Sequence, residues 1–522
     1  SYIRSFSFFL LFNHSNYDNG IPSSDSIVKN NWANIIKQNT NVQPHLLGYV
    51  DIPVDLTDEL YKNNKLFHHW DGGYLPGLKR IDDVDYVGTK PFLKQHLNIE
   101  NKEQDKLLSN ENTKIQWNGY RGSMEWISRR NHTNYGNTKY TKPTLQHDAT
   151  SSVAYIYTTR AIKFIDNEIY NNKSNFALHL SFLNPHPPFV VAPPYNTLYQ
   201  PNKIKEFLFS QQDNVNIFKQ HDFNLNQHPF IKKVNTTPNP HAHRHGASGY
   251  SGHVELNDKI IDVCNYFALI TELDDNIGRL LDYLEVNDLI NNTMIIFTCD
   301  HGEMLYDHDM IGKLGFFEES YHLPLIISCP SLYNGKGSGG GKVIENVFTE
   351  SIDIAPTIVE WMCGGDKRVI PLQYDGKSLF PFLTSDNNNT TTTSWRKSVH
   401  YEYDFSYQLG LWSDENEFIK WTENHGIMKR SECVMTILKN HKYKLVYFAN
   451  ESIEPILFDM VNDPNETTNV AEKNIKILLK MIKEMLNWRI KYTNSTGSNN
   501  RQLNGMKIAS DGVILELGSS KL

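Results

Sequence analysis

The segment Met294–Glu303, read Met-Ile-Ile-Phe-Thr-Cys-Asp-His-Gly-Glu, constrains the fold of this chain more than any other. A continuous apolar run of this kind reads as a strand buried on both faces, as in the parallel sheet of an α/β protein. It stops abruptly at Asp300, His301 and Gly302. In open α/β sheets, ligands bind just beyond the carboxyl ends of strands. A carboxylate and an imidazole therefore arrive together where such a sheet keeps its active site, and both are ligand types for a divalent metal. Lys313 follows thirteen residues after the aspartate, within reach as an anion clamp. A simple capped turn would need only Asp300. The added histidine, glycine and lysine favour a metal and anion site. Glu303 reads as a residue that orients groups behind the ligands.

The rest of the chain alternates in the α/β manner. Pro44–Val50 reads as a strand, Val153–Tyr170 as a helix, and Phe176–Leu183 as a buried strand closed by Asn184-Pro-His-Pro-Pro188. A polar stretch from about 196 to 252 reads as loop. Asn257–Leu284 reads as a helix, Leu323–Ser328 as a strand, and Ile352–Trp361 as a short helix. Thr384–Ser394 is a polar run of low complexity and the best domain boundary. Beyond it, Cys433–Leu438 and Tyr443–Tyr447 read as antiparallel neighbours, and Ile475–Tyr492 as an amphipathic helix. The division expected is 1–383 for a catalytic α/β domain, 384–395 for a polar loop, and 396–522 for a smaller subdomain of antiparallel sheet plus helix.

A formal charge of −8 argues against a broad nucleic-acid surface, which would be basic. No stretch is long enough to span a bilayer. Phe6–Phe12 is apolar and follows Arg4, but it is short and lacks a small-residue cleavage site, so it reads as a folded segment rather than a signal. Five cysteines show no paired spacing, which fits core thiols in a reducing compartment and favours a cytoplasmic location over a lysosomal or secreted one. Asn131-His-Thr and Asn465-Glu-Thr match the glycosylation triplet, but in so asparagine-rich a chain they carry little weight.

Further constellations divide between plain and functional readings. In Asn184-Pro-His-Pro-Pro-Phe189 the prolines hold His186 at a strand end, where a fixed imidazole can donate to an ester oxygen or protonate a leaving group. Tyr49 and Asp51 could line a pocket, although a tyrosine at a strand end is more often core. Pro240-His-Ala-His-Arg-His245 reads as a solvated loop without carboxylates at fixed spacing. Asp274 and Asp275 with Arg279 read as a solvent-facing or helix-packing salt bridge.

Together, Phe297–Glu303 with Gly312-Lys313, Phe176–Phe189, Thr271–Asp275, Phe348–Thr357, His400–Phe405 and Phe458–Glu466 resemble the sulfatase family of the alkaline-phosphatase-like superfamily. The Asn-Pro-His-Pro-Pro-Phe and His-Tyr-Glu-Tyr-Asp-Phe pieces are most similar to its arylsulfatase and phosphonate monoester hydrolase branch. The resemblance implies a large, mostly parallel sheet flanked by helices. It implies a hydrolase that cleaves sulfate esters, or related phosphonate and phosphate esters, with one divalent metal ion and a formylglycine nucleophile. By matching position, Asp300 and His301 would bind the metal. His186 and Lys313 would contact the transferred group or leaving oxygen, and Asn19 and Tyr49 would line the substrate pocket. Ca2+ or Mn2+ suits such oxygen and imidazole ligands, and Zn2+ less so. The partner implied is a small anionic ester, and a homo-oligomer is compatible with it.

One piece departs from the family. The nucleophile motif, Cys/Ser-x-Pro/Ala-x-Arg, should fall near residues 1–10, where Ser1–Ser7 does not fit, and no cysteine precedes Cys264. The expectation is a sulfatase-type hydrolase whose amino-terminal segment, with the nucleophile and a further metal-binding aspartate, is missing from this chain. The alternative is an anion-binding pseudoenzyme.

Overall fold

In a computed structural model the described residues are 32–42, 44–48, 79–80, 152–182, 184–186, 189, 191, 193–210, 218, 220–236, 249–250, 254–313, 315–330, 343–371, 374–384, 395–404 and 434–493. Phe6–Phe12, Asn19, Tyr49, Asp51, Pro240–His245, Cys433 and residues 385–394 lie outside them. In chain order the elements are α1 (Trp32–Asn39), β1 (Pro44–Gly48), β2 (Lys79–Arg80), α2 (Val153–Asp166), β3 (Ala177–Ser181), α3 (Pro201–Ser210), α4 (Phe223–Gln227), α5 (Pro229–Thr236), β4 (Gly249–Tyr250) and α6 (Leu256–Val286). They continue with β5 (Ile295–Thr298), β6 (Met310–Ile311), α7 (Glu318–Tyr321), β7 (Leu325–Ser328), α8 (Ile354–Met362), α9 (Phe380–Thr384), β8 (Ser398–Asp404), β9 (Val434–Asn440), β10 (Tyr443–Phe448), β11 (Ile456–Asp459) and α10 (Ile475–Thr493).

β2, β1 and β3 pair in parallel, with Leu47 opposite Leu180. One layer of helices packs through Ala154, Tyr157 and Ala161 of α2 and Leu273 of α6 against Leu47 and Leu180. A second apolar layer joins Trp32, Ala33, Ile35 and Ile36 of α1 to Ile354, Ile358 and Val359 of α8. β5 lies between these layers. Ile296 packs with α1 and α8, and Ile295 packs near Phe164, Tyr283 and Leu284. This is the α/β arrangement, and the apolar run opening β5 is explained by it.

The sequence reading differs from the structure at three places. β5 runs antiparallel to β7, its described neighbour, with Ile296 opposite Ile327. Its burial alternates, with Ile296 and Thr298 buried and Ile295 and Phe297 partly covered. An apolar run does not encode strand direction, because both pairings bury the same side chains. The stretch from 196 to 252 holds α3, α4 and α5 rather than loop. Asp222 caps α4 by accepting from the Leu225 amide at 2.7 Å. Leu225, Phe230 and Ile231 are fully buried beside Phe316 and Phe448, so a few well-placed apolar residues suffice in a polar sequence. Arg279 does not bridge to Asp274 or Asp275 as expected. It donates to Asn276 Oδ1 at 2.8 Å and Thr159 Oγ1 at 3.0 Å, and lies over the Tyr155 ring. Asp275 instead accepts from the Tyr195 hydroxyl at 2.7 Å.

The sheet β11-β10-β9-β8 is antiparallel throughout. Alternate residues divide between two cores. Leu438, Leu445 and Leu457 pack on Met481 and Met485 of α10, while Ile437, Val446, Ile456 and Phe458 pack on Leu225, Phe230, Phe316 and Phe317. The sheet therefore shares a core with the segment that follows Lys313. Cys264, Cys299 and Cys329 are buried and Cys363 is partly covered, and none of these four is in a disulfide. No described helix is long and apolar enough to cross a membrane.

A second tie is ionic. Asp353 is fully buried; its Oδ1 accepts from the Lys377 amide at 2.7 Å and Arg396 Nη2 at 2.8 Å. Its Oδ2 accepts from the Glu350 amide at 2.9 Å and from Arg396 Nη1. Removing one partner of a buried ion pair strands the other and costs about 3–5 kcal/mol. Asp353→Ala should lower the urea-unfolding free energy by about that amount. An unchanged midpoint and slope would show the pair to be dispensable.

Candidate active site

The site grows from the end of β5. Thr298 and Cys299 are buried, and the chain then turns at Asp300, whose Oδ1 accepts from the His301 amide at 2.9 Å. Gly302 comes next because nothing larger fits. A Cβ there would lie 1.7 Å from the Glu319 carbonyl oxygen, and the Gly302 amide donates to the Ser320 carbonyl at 2.8 Å. The chain leaves in a tight loop and returns. Met304 donates to the Gly312 carbonyl and Tyr306 to the Met310 carbonyl, both at 2.8 Å. Glu303 is buried inside this loop, its Oε1 accepting from the Leu305 amide at 3.1 Å and the Gly312 amide at 2.5 Å. It frames the loop, and both of these bonds go to loop amides. Gly312, at φ 80°, makes the left-handed turn that delivers Lys313.

The return brings Lys313 Nζ to 2.6 Å from His301 Nε2. His301 Nδ1 lies 2.8 Å from the Gly302 carbonyl. A carbonyl only accepts, so Nδ1 carries the proton and the Nε2 lone pair takes the lysine N–H. Burial lowers the His301 pKa to about 4, with Asp300 opposing, Lys313 assisting and the Gly302 carbonyl opposing. The ring is therefore neutral near pH 7. Asp300 Oδ2 stands 3.2 Å from the same Nε2. A neutral imidazole with one nitrogen fixed by a carbonyl, and the other turned toward a carboxylate, is the donor set a divalent cation uses. By residue type, Asp300 and His301 fit a divalent cation. Among the described residues, no group of three or more His, Cys, Asp or Glu is gathered for a metal.

Of the residues expected at the site, the structure brings together Asp300, His301 and Lys313. His186, half-buried, follows the carboxyl end of β3 after Asn184 and Pro185. Its loop is tied to α6, where Asn184 Nδ2 donates to Glu272 Oε2 at 3.2 Å. Asn19 and Tyr49 lie outside the described residues.

Sequence reasoning passed over four supports of the site. Glu272 is fully buried on α6, where Lys259 and Asp262 are buried as well. His308 is buried between rings, with centroids 3.9 Å from Phe317 and 4.7 Å from His221, and its Nε2 is 3.7 Å from Glu319 Oε2. Tyr403 donates to the Lys313 carbonyl at 3.2 Å, and Tyr401 donates to the Phe316 carbonyl at 3.1 Å. The long-range contacts of His308, Tyr401 and Tyr403 leave no local pattern in sequence.

Comparison with known proteins identifies the family. The Sulfatase family model matches residues 94–365, more than half the chain, and the model for the N-sulphoglucosamine sulphohydrolase C-terminal region matches 306–491. The multifunctional alkaline phosphatase superfamily protein PehA of Trinickia caryophylli is 31% identical over 342 residues, which is 65% of this chain and 60% of PehA. An N-acetylglucosamine-6-O-sulfatase of Bacteroides thetaiotaomicron is 30% identical over 42% of this chain and 35% of its own length. The chain thus spans less than two thirds of either relative. The structure of the phosphonate monoester hydrolase SpPMH from Silicibacter pomeroyi superposes with a TM-score of 0.65 at 25% identity, covering 90% of this chain and 81% of that one. The Agrobacterium radiobacter phosphonate monoester hydrolase shares the fold, with a TM-score of 0.64 at 24% identity over 92% of this chain and 82% of its own.

Glu272 generates a pH prediction. Burial raises its pKa from 4.5 to about 7, against hydrogen bonds from Ser152 and Asn184. Below pH 4.5 the carboxyl is protonated in both folded and unfolded chains. As pH rises, the unfolded chain releases the proton first, and this contribution to stability is lost as pH passes through about 7. Glu272→Gln, which cannot ionise, should therefore gain stability relative to the wild type between pH 5 and 8, read by urea unfolding at each pH. Parallel stability curves for the two proteins would contradict an elevated pKa.

Proposed function

The chain belongs to the sulfatase family, and on that premise we propose that it hydrolyses sulfuric esters or closely related phosphonate and phosphate esters. The observation that carries the proposal is the convergence of Asp300, His301 and Lys313 where β5 ends. These groups suit a tetrahedral anion whose charge grows as a bond to sulfur or phosphorus breaks. Lys313 supplies a positive charge to a non-bridging or leaving oxygen, most effective in a site shielded from water. Asp300 and His301 would hold one divalent cation, which when bound supplies Lewis-acid neutralisation of the ester's oxygens. His301 is kept in the tautomer that leaves Nε2 toward that position, because its other nitrogen is committed to the Gly302 carbonyl. His186, on its proline-bound loop, is proposed to donate a hydrogen bond or proton to the leaving oxygen. Asn19 and Tyr49 are proposed to contact substrate. The similarity to PehA and to SpPMH supports including phosphonate and phosphate esters, and the similarity to an N-acetylglucosamine-6-O-sulfatase supports sulfate esters.

The test is hydrolysis of 4-nitrophenyl sulfate, 4-nitrophenyl phenylphosphonate and bis(4-nitrophenyl) phosphate by the natural full-length protein supplied with Ca2+ or Mn2+. Turnover of at least one ester is expected. Lys313→Ala should lower kcat by roughly 10²–10³-fold, the size of effect seen when one preorganised donor to a developing charge is removed. Asp300→Ala should abolish it. A protein that binds Mn2+ and sulfate by calorimetry yet turns over none of the three is an anion-binding pseudoenzyme.

A further inference from the structure

The motif His400–Phe405 has no place in the chemistry above, yet two of its side chains reach the site's frame. β8 pairs with β9 in the antiparallel sheet, with Tyr401 opposite Ile437 and Tyr403 opposite Met435. As residues two apart on a strand, they point to one face. From that face the Tyr403 hydroxyl donates to the Lys313 carbonyl at 3.2 Å, and the Tyr401 hydroxyl donates to the Phe316 carbonyl at 3.1 Å. The Tyr321 ring stacks on Tyr401 at 4.6 Å and meets Tyr403 edge-on at 5.9 Å. Two tyrosine hydroxyls thus grip both ends of the segment from Lys313 to Phe316, and a third ring locks the two together.

Two residues beyond that segment, Glu318 is fixed by charge. Glu318 Oε1 lies 3.1 Å from Lys444 Nζ, which also lies 2.7 Å from Glu466 Oε1. Glu466 Oε2 accepts from the Glu318 amide at 2.7 Å, and Lys439 also pairs with Glu318. Lys439 and Lys444 lie on β9 and β10 of the same sheet.

We infer that Tyr403 and Tyr401 are positioning residues for Lys313, so that the antiparallel sheet sets where the lysine's charge meets the ester. A lysine side chain is long and has many rotamers, so its ammonium is placed only if its own backbone is fixed. The Tyr403 hydroxyl fixes it at the residue itself. Neither tyrosine needs to touch the substrate for its loss to be felt, because a small displacement of a charged group costs rate steeply. This inference rests on the proposed role of Lys313.

The experiment is a double-mutant cycle on the natural full-length protein. It uses whichever of the three nitrophenyl esters is hydrolysed fastest, with inorganic sulfate affinity measured by calorimetry in parallel. Tyr403→Phe keeps the ring and its packing and removes only the hydroxyl. It should lower kcat/KM about tenfold, and weaken sulfate binding, with little change in Tm. Tyr401→Phe should act in the same direction with smaller effect, and it serves if Tyr403→Phe folds poorly. In a Lys313→Ala background both substitutions should change neither quantity further, since the group they position is gone. An equal loss in both backgrounds means that the hydroxyls only support the fold, and overturns the inference. So does wild-type behaviour of Tyr403→Phe and Tyr401→Phe beside a disabled Lys313→Ala. Full turnover by Lys313→Ala overturns the proposed role of the lysine itself, and is told apart because that single variant reveals it.

Discussion

Everything at the site hangs on one close approach. The backbone of Gly302 lies against that of Glu319 and Ser320, with the Gly302 amide donating to the Ser320 carbonyl at 2.8 Å and no room for a side chain between them. That contact joins the end of β5, which carries Asp300 and His301, to α7, which follows Lys313. Without it the Asp300-His301 corner and the lysine would be joined by the intervening loop and the Lys313–His301 contact alone. With it, Lys313 is bounded on one side by the loop that Glu303 frames and on the other by a helix fixed to the strand end.

The contact is held in place by an expensive arrangement of charge. Lys444 is fully buried, where burial alone would pull its pKa down, yet Glu466, Tyr401 and Glu318 together raise it well above its usual value. Burial likewise works against the Glu318 charge, and Lys444 and Lys439 outweigh it to hold the carboxyl at about 2. A buried pair of this kind contributes little net stability against an apolar replacement, and its better-attested use is to specify one arrangement. Here it ties α7 to β9 and β10 of the antiparallel sheet. An apolar substitute could bury as well, but it could not tell one placement of Glu318 from the next.

The sequence was legible where the signal is local. The apolar run ending in Asp-His-Gly, the helix α6 and the neighbouring strands β9 and β10 follow from periodicity, and the structure has them near the expected bounds. Asp300, His301 and Lys313 were legible because the lysine follows the strand end after a single short loop, thirteen residues from Asp300. What could not be read is whatever depends on distant partners. The direction of β5 relative to β7 leaves no trace in an apolar run. The helices between 201 and 236 hide because each buries only a few residues. Lys444 reads as an ordinary charge on a strand edge until Glu318 and Glu466 are brought to it. Glu272 likewise reads as one more charge on a helix until the fold brings Asn184 to it.

The loop between Glu303 and Gly312 shows why side chains, rather than glycines, occupy strained backbone. Leu305, Tyr306, His308 and Asp309 all take positive φ, at 42°, 74°, 55° and 53°. Each such residue costs on the order of 1 kcal/mol or more, and glycine would relieve that strain. Yet three of these side chains are the loop's anchors. The Tyr306 hydroxyl donates to buried Asp262, Asp309 pairs with Lys259 at 3.1 Å, and His308 stacks on Phe317. Asp262 and Lys259 both lie on α6, so the loop is bound to the longest described helix on one side and to the aromatic core on the other. Glycine at these positions would ease the backbone and release the loop from both. Strain is retained because the anchoring it permits keeps the return path to Lys313 fixed, and that path sets the 2.6 Å approach of the lysine to His301.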